Sequence, residues 1–174
     1  MQASHPRRAR WDRQDPFGDE EQYGQAEEYL LEALSILKGR GDRALIERTH
    51  HCLVGLGNAA PGLKKYRASI AHFREGLGLA LAIKDFAGAL DAIVGSAYVL
   101  AEVDRTDDAL QLLAFALGEP AIGHKARARA ALLFASLTEQ LSEPVAASAQ
   151  ERGKAFQFDE MAQLLLEWQQ HLGS

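Results

Sequence analysis

The sequence predicts an all-α protein: a stack of antiparallel helix pairs closed by C-terminal capping helices. Three observations carry this. Alanine and leucine supply 30 and 25 of the 174 residues, against 11 for valine and isoleucine together, and helices favour the first pair while strands favour β-branched residues. Apolar residues recur at three- and four-residue steps over most of the chain. The segments between these stretches are short, so successive helices pack antiparallel.

Residues 1–19 read as an irregular leader. Arg7, Arg8, Arg10 and Arg13 make a basic opening broken by Pro6, Pro16 and Gly18, and no apolar period appears. From Glu20 the pattern begins. Tyr23, Ala26, Leu30, Ala33, Leu34 and Leu37 form one apolar stripe, and Gly39 and Gly41 read as its stop. A second helix is expected over residues 43–60, ending at Pro61-Gly62. A third covers about 63–83 and a fourth about 86–103, stopped at Asp104-Arg105. Thr106 is the expected cap of a fifth helix, with Asp107 and Asp108 in its first turn. A sixth spans about 122–141. A seventh runs from Pro144 to about Arg152 and ends at Gly153. An eighth runs from Phe158 to His171.

The helices repeat. The third matches the first at an offset of 43: Tyr66 for Tyr23, Ser69 for Ala26, Phe73 for Leu30, Gly76 for Ala33, with Asp85 for Asp42 beyond them. The fifth follows at a further offset of 40 with Ala109, Leu113 and Ala116. The preceding helices agree as well, since Leu53, Leu56, Gly57 and Ala60 are echoed by Ile93, Ser96, Ala97 and Leu100. In both units 12 residues separate the small residue of the first helix (Gly57, Ala97) from that of the second (Ser69, Ala109). Small residues at this spacing allow close approach of two antiparallel helices, and Phe73 and Leu113 fill the next layer. The domain reading is therefore a leader at 1–19, repeats at 20–141 and capping helices at 142–174.

These residues resemble the tetratricopeptide repeat (TPR), a helix-turn-helix of about 34 residues. Here the period is 40 to 43, and Leu53 and Ile93 stand where that family commonly has tryptophan. The resemblance covers residues 20–118, and 122–141 more loosely. It implies a TPR-like α-solenoid, a right-handed superhelix that binds protein or peptide in a concave groove lined by the first helix of each pair. The positions that correspond are His51, Val54 and Asn58 from one unit, then Asp91, Val94 and Tyr98 from the next, continued by Arg129, Leu132 and Ser136. The runs Ala26–Asp42 and Ser69–Leu117, with the tail around Ala149–Glu160, are also similar to the C-terminal helical arrays of large bacterial ATPase-containing signalling and transcriptional regulators. That likeness implies a sensor or assembly arm of such a regulator.

Chemistry is excluded more firmly than partners are identified. A single cysteine rules out a disulfide framework. His50, His51 and Cys52 invite a metal reading, but adjacent helical residues diverge by about 100°, so they do not converge on one ion. No nucleophile elbow or phosphate loop is present, so no catalytic residue, cofactor or metal is expected. The net charge of -5 offers no general attraction for nucleic acid. No apolar run is long enough to span a bilayer, and no secretory signal is visible, so the cytoplasm is the expected compartment. Leu166 and Trp168 extend beyond the stripe of the last helix, which keeps open a homo-oligomerising module. A small-ligand sensor is the third reading.

Overall fold

The structure, a computed structural model, describes residues 20–37 and 42–168. These form eight α-helices with no strand among the described residues: α1 (Glu20–Leu37), α2 (Arg43–Ala59), α3 (Tyr66–Ala82), α4 (Phe86–Glu102), α5 (Thr106–Gly118), α6 (His124–Thr138), α7 (Glu143–Ala155) and α8 (Phe158–Trp168). The leader and the Gly39–Gly41 stop lie outside the described residues, as does the last turn expected up to His171.

From α1 to α6 each helix packs on its neighbour in sequence, and the alternate helices α2 and α4, and α4 and α6, also touch. The repeat seen in the sequence is thus a repeat of contacts. Asp42 and Asp85, equivalent by sequence, both cap the next helix. Their carboxylates accept from the backbone N–H groups of Leu45 (3.0 Å) and Gly88 (2.9 Å), satisfying donors that the first helical turn leaves open. The small residues sit where the spacing places them: Gly57, Ser69, Ala97 and Ala109 are all buried. Ser69 Oγ donates to the Gly57 carbonyl at 2.5 Å, which joins α2 to α3.

Phe73 occupies the centre, 1% exposed. Its ring lies between two glycines from different helices. A Cβ at Gly57 of α2 would sit 2.7 Å from the ring, and one at Gly95 of α4 would overlap it. A Cβ at Gly55, the equivalent of Gly95, would likewise sit 3.0 Å from Leu30, the equivalent of Phe73. Burying a Phe or Leu side chain contributes about 1.5–3 kcal/mol, so these ring-on-glycine contacts hold the pairs together.

Three loops share a device that the sequence conceals. Lys64, Lys84 and Asp104, spaced 20 residues apart, all adopt positive φ (56°, 58° and 61°). After each, the next N–H reaches back five residues, from Lys65 to Ala60, Asp85 to Ala80 and Arg105 to Leu100, at 2.8–2.9 Å. This left-handed ending satisfies helix-terminal carbonyls and is usually made by glycine.

Several expected boundaries move. Pro61 lies at the start of a short 3-10 turn that begins at Ala60 (Ala60–Leu63), and with Lys64 left-handed α3 begins only at Tyr66. Thr106 is the first residue of α5 rather than its cap. The flanking Arg105 instead holds Asp108 through Nε at 2.6 Å. Helix α6 is shorter than expected at both ends. Gly153 does not stop α7 but lies inside it, because α7 crosses α5 there; a Cβ at Gly153 would strike the Gln111 carbonyl and Ala114.

The C-terminal helices do not extend the row after α6. Helix α7 packs on α5, and Arg152 pairs with Asp107 at 2.5 Å. Helix α8 turns back on α3, and its first residue reaches α4 and α5. Phe158 packs edge-on against Phe86 (5.1 Å between centroids) and tilted against Phe115 (5.8 Å), and Leu166 lies beside Ala71, Arg74 and Gly78 of α3. The apolar stripe of α8, with Met161, Ala162 and Leu165 buried, covers this flank. The side chain of Trp168 lies outside the described residues.

Candidate functional site

The surface of interest lies across α2, α4 and α6, because these three helices adjoin one another and carry the expected groove residues. The structure brings four of the nine together, Asn58, Asp91, Tyr98 and Arg129. Arg129 of α6 is the hub. Its guanidinium stands 5.0 Å from the centroid of the Tyr98 ring of α4, and its Nη2 donates to Asn58 Oδ1 of α2 at 3.0 Å. The Tyr98 hydroxyl donates to the Arg129 backbone carbonyl, also at 3.0 Å. One arginine thus ties three helices, through partners 31 and 71 residues away in sequence.

Asp91 stands on α4 in the field of this arginine and is half-buried. Burial pushes its carboxyl above the ordinary value of 3.8, because a low-dielectric setting disfavours the charged form. Arg129, His50 and His51 work against that shift. Burial likewise raises the Tyr98 hydroxyl, opposed by Arg129. The result is a partly desolvated patch in which a carboxylate, a guanidinium, an amide and an aromatic ring lie side by side.

The other five fall differently, and Ser136, two turns beyond Arg129, is half-buried. His51 is exposed and turns back to its own helix, Nδ1 lying 2.7 Å from the Glu47 carbonyl. Val54 is half-buried and packs on the core, so it forms floor rather than rim. Val94 corrects the expectation outright. It is 0% exposed, because α4 is enclosed by α2, α3, α5 and α6, and the face that holds Val94 is used for packing. Leu132, one turn beyond Arg129, is 73% exposed, the most exposed large hydrophobic side chain among the described residues.

His50 is the residue that sequence reasoning undervalued. It is 1% exposed. Its Nδ1 meets the Gly76 carbonyl of α3 at 2.8 Å, and its Nε2 faces Gly88 and the Asp85 cap at the start of α4. A carbonyl only accepts, so Nδ1 carries the proton. Burial lowers the pKa of His50 below 6.5, against the Gly76 hydrogen bond, and Asp85 and Asp91 also oppose the shift. The signal for this role was the pair Gly76 and Gly88, small residues that leave room for an imidazole across two helices.

No group of three or more His, Cys, Asp or Glu side chains is placed to hold a metal among the described residues. Cys52 is half-buried and burial raises its thiol pKa, which disfavours the reactive thiolate. No helix among the described residues is long and apolar enough to cross a membrane. Comparison with family models, curated proteins and solved structures finds no match.

Proposed function

We propose that the chain is a non-catalytic, protein- or peptide-binding module of the TPR kind, a right-handed superhelical stack whose α2–α4–α6 face receives the partner. The carrying observation is the Asn58–Arg129–Tyr98 tie across three helices, with Asp91 desolvated beside it and Leu132 exposed one turn away. Rigid groups held by neighbouring helices bind at low entropic cost, and an exposed leucine beside arginine and tyrosine suits an apolar anchor with polar contacts around it. In a cytoplasmic bacterial regulator this module serves as a sensor or assembly arm.

The reading is tested by selecting peptides from a random library against the full chain and measuring their affinity for Leu132→Asp and Arg129→Ala variants. Leu132 is 73% exposed, so its variant disturbs folding little and reports chiefly on binding. Losses of about tenfold or more are expected for each, about 1.4 kcal/mol. Unchanged affinity for both variants would remove the face from consideration. The homo-oligomer reading rests on Leu166 and Trp168, of which Leu166 is half-buried against the core of its own chain.

A further inference from the structure

Helix α6 leaves open the side by which its equivalents take the helix that follows them. The register runs at an offset of 40 from α2 to α4 and of 38 from α4 to α6. It aligns His50, Leu53 and Gly57 of α2 with Leu90, Ile93 and Ala97 of α4 and with Ala128, Ala131 and Ala135 of α6. In α2 and α4 all of these are buried. The α2 set packs on α3, with His50 at the Gly76 carbonyl and the Gly57 carbonyl accepting from Ser69. On α6 all three are exposed, because the next helix, α7, packs on α5 instead. With Leu132, 73% exposed, they form one apolar face. At about 100° per residue, Lys125 flanks this face on the Leu132 side and Arg127 on the Ala131 side, and both are exposed. Helix α6 carries Lys125, Arg127 and Arg129 and no Asp or Glu.

We propose that this face of α6 receives an acidic amphipathic helix of a partner protein, seated antiparallel as α3 is on α2 and α5 on α4. The repeat shows what fits. Each seated helix offers a small, a large and a small residue in turn: Ser69, Phe73 and Gly76 in α3, and Ala109, Leu113 and Ala116 in α5. The partner helix therefore carries the same small-x3-large-x2-small pattern. Charge places its carboxylates. The exposed cations stand in the first half of α6, and in an antiparallel pair that half meets the C-terminal half of the seated helix, as His50 meets Gly76. Carboxylates beside the apolar stripe in that half reach Lys125 and Arg127. An apolar centre inside a charged rim is the ordinary anatomy of an interface, and complementary rim charge selects the partner. Leu132 borders both this face and the α2–α4–α6 face, whereas Ala131 belongs only to the first and Asn58 only to the second, so variants separate the two surfaces.

Two synthetic helical peptides test this. Both carry Ala-x3-Leu-x2-Ala, and the positions flanking that stripe in the C-terminal half hold glutamate in one and lysine in the other. Their affinities for the full chain would be measured by fluorescence anisotropy. The glutamate peptide should bind about tenfold or more tightly than the lysine peptide, and should lose about tenfold or more on Lys125→Glu and on Ala131→Gln, which fills a small-residue seat without changing charge. Both positions are exposed, and circular dichroism would verify that the variants fold. Asn58→Ala should leave the affinity unchanged. No binding, or equal affinity for the two peptides, would overturn the proposal. A loss on Asn58→Ala with none on Ala131→Gln would also overturn it, by moving the peptide to the α2–α4–α6 face. So would a loss confined to Arg48→Glu. The site would then be the apolar groove of about 420 Å³ between α1 and α2, lined by Ala33, Ile36, Leu37, Arg48, His51 and Cys52. Sedimentation of the chain alone completes the test: self-association abolished by Ala131→Gln would make the occupant a second copy rather than a partner.

Discussion

The pairs α1–α2 and α3–α4 are the same unit by sequence offset, yet they meet their neighbours differently. In the second pair, glycines 76, 88 and 95 receive rings, His50 against the first two and Phe73 against the third. In the first pair the equivalent positions are Ala33, Arg48 and Gly55, and the one contact retained is the aliphatic Leu30 on Gly55. The centre of the protein is therefore held by aromatic rings set into glycine gaps, and the first pair by a looser aliphatic contact beside an open groove. At the equivalent positions 95 and 55 both pairs keep glycine, but the second receives the Phe73 ring and the first only Leu30.

Paired truncations break this comparison most strongly. Phe73→Ala should destabilise the chain by about 3–5 kcal/mol, whereas Leu30→Ala, at a half-buried site, should cost under about 2 kcal/mol. Urea unfolding of both variants measures the contrast, and equal losses would mean that the two pairs are equally packed. Filling the gaps gives the next largest effect. Gly95→Ala drives a Cβ into the Phe73 ring and should cost about 1–3 kcal/mol despite alanine's better helix propensity. Gly55→Ala meets only the flexible tip of Leu30 and should change stability by less than about 1 kcal/mol.

The loop device sharpens the account at smaller scale. Replacing Lys84, with its positive φ of 58°, by glycine removes a strained backbone and should raise stability by up to about 1 kcal/mol. A melting temperature that falls would show that the Lys84 side chain makes a contribution of its own. The last effect is a slope rather than a step. The pKa of His50 lies below its unfolded value of 6.5 in the folded chain, so the folded state binds this proton less readily. Its contribution is fully present above that value and is lost as pH falls towards the folded pKa. Asp91, shifted upward, has the opposite sign: its contribution is present in acid and lost as pH rises through its folded pKa. Stability should therefore decline as the pH is lowered through about 6.5, and His50→Gln should flatten that decline in denaturant titrations.

Much of this architecture was legible in the residues. Gly57 with Ser69, and Ala97 with Ala109, announced the close helix pairs because small residues at fixed spacing are a local signal. The left-handed ends were not legible. Lys64, Lys84 and Asp104 are not glycine, and only the hydrogen bonds back to the preceding helix reveal the conformation. Gly153 misled for the converse reason, since its glycine answers a tertiary crossing rather than a helix end. The return of α8 to α3 and α5 was equally hidden, because an apolar stripe shows that a helix packs without showing where. At the candidate site, the register placed Tyr98, Asp91 and Arg129 on one face, and the structure brings them together. The Asn58–Arg129 bond joins residues 71 positions apart and leaves no periodic trace. Val94 failed because register alone does not show how completely neighbouring helices enclose α4.

The central functional claim is that partners dock on the face formed by α2, α4 and α6. The most direct test is nuclear magnetic resonance of the isotope-labelled full chain, titrated with a peptide selected against it. The account predicts that the largest amide shifts cluster around Asn58, Asp91, Tyr98, Arg129 and Leu132. Shifts confined to α7 and α8, or to the α1–α2 groove, would contradict it.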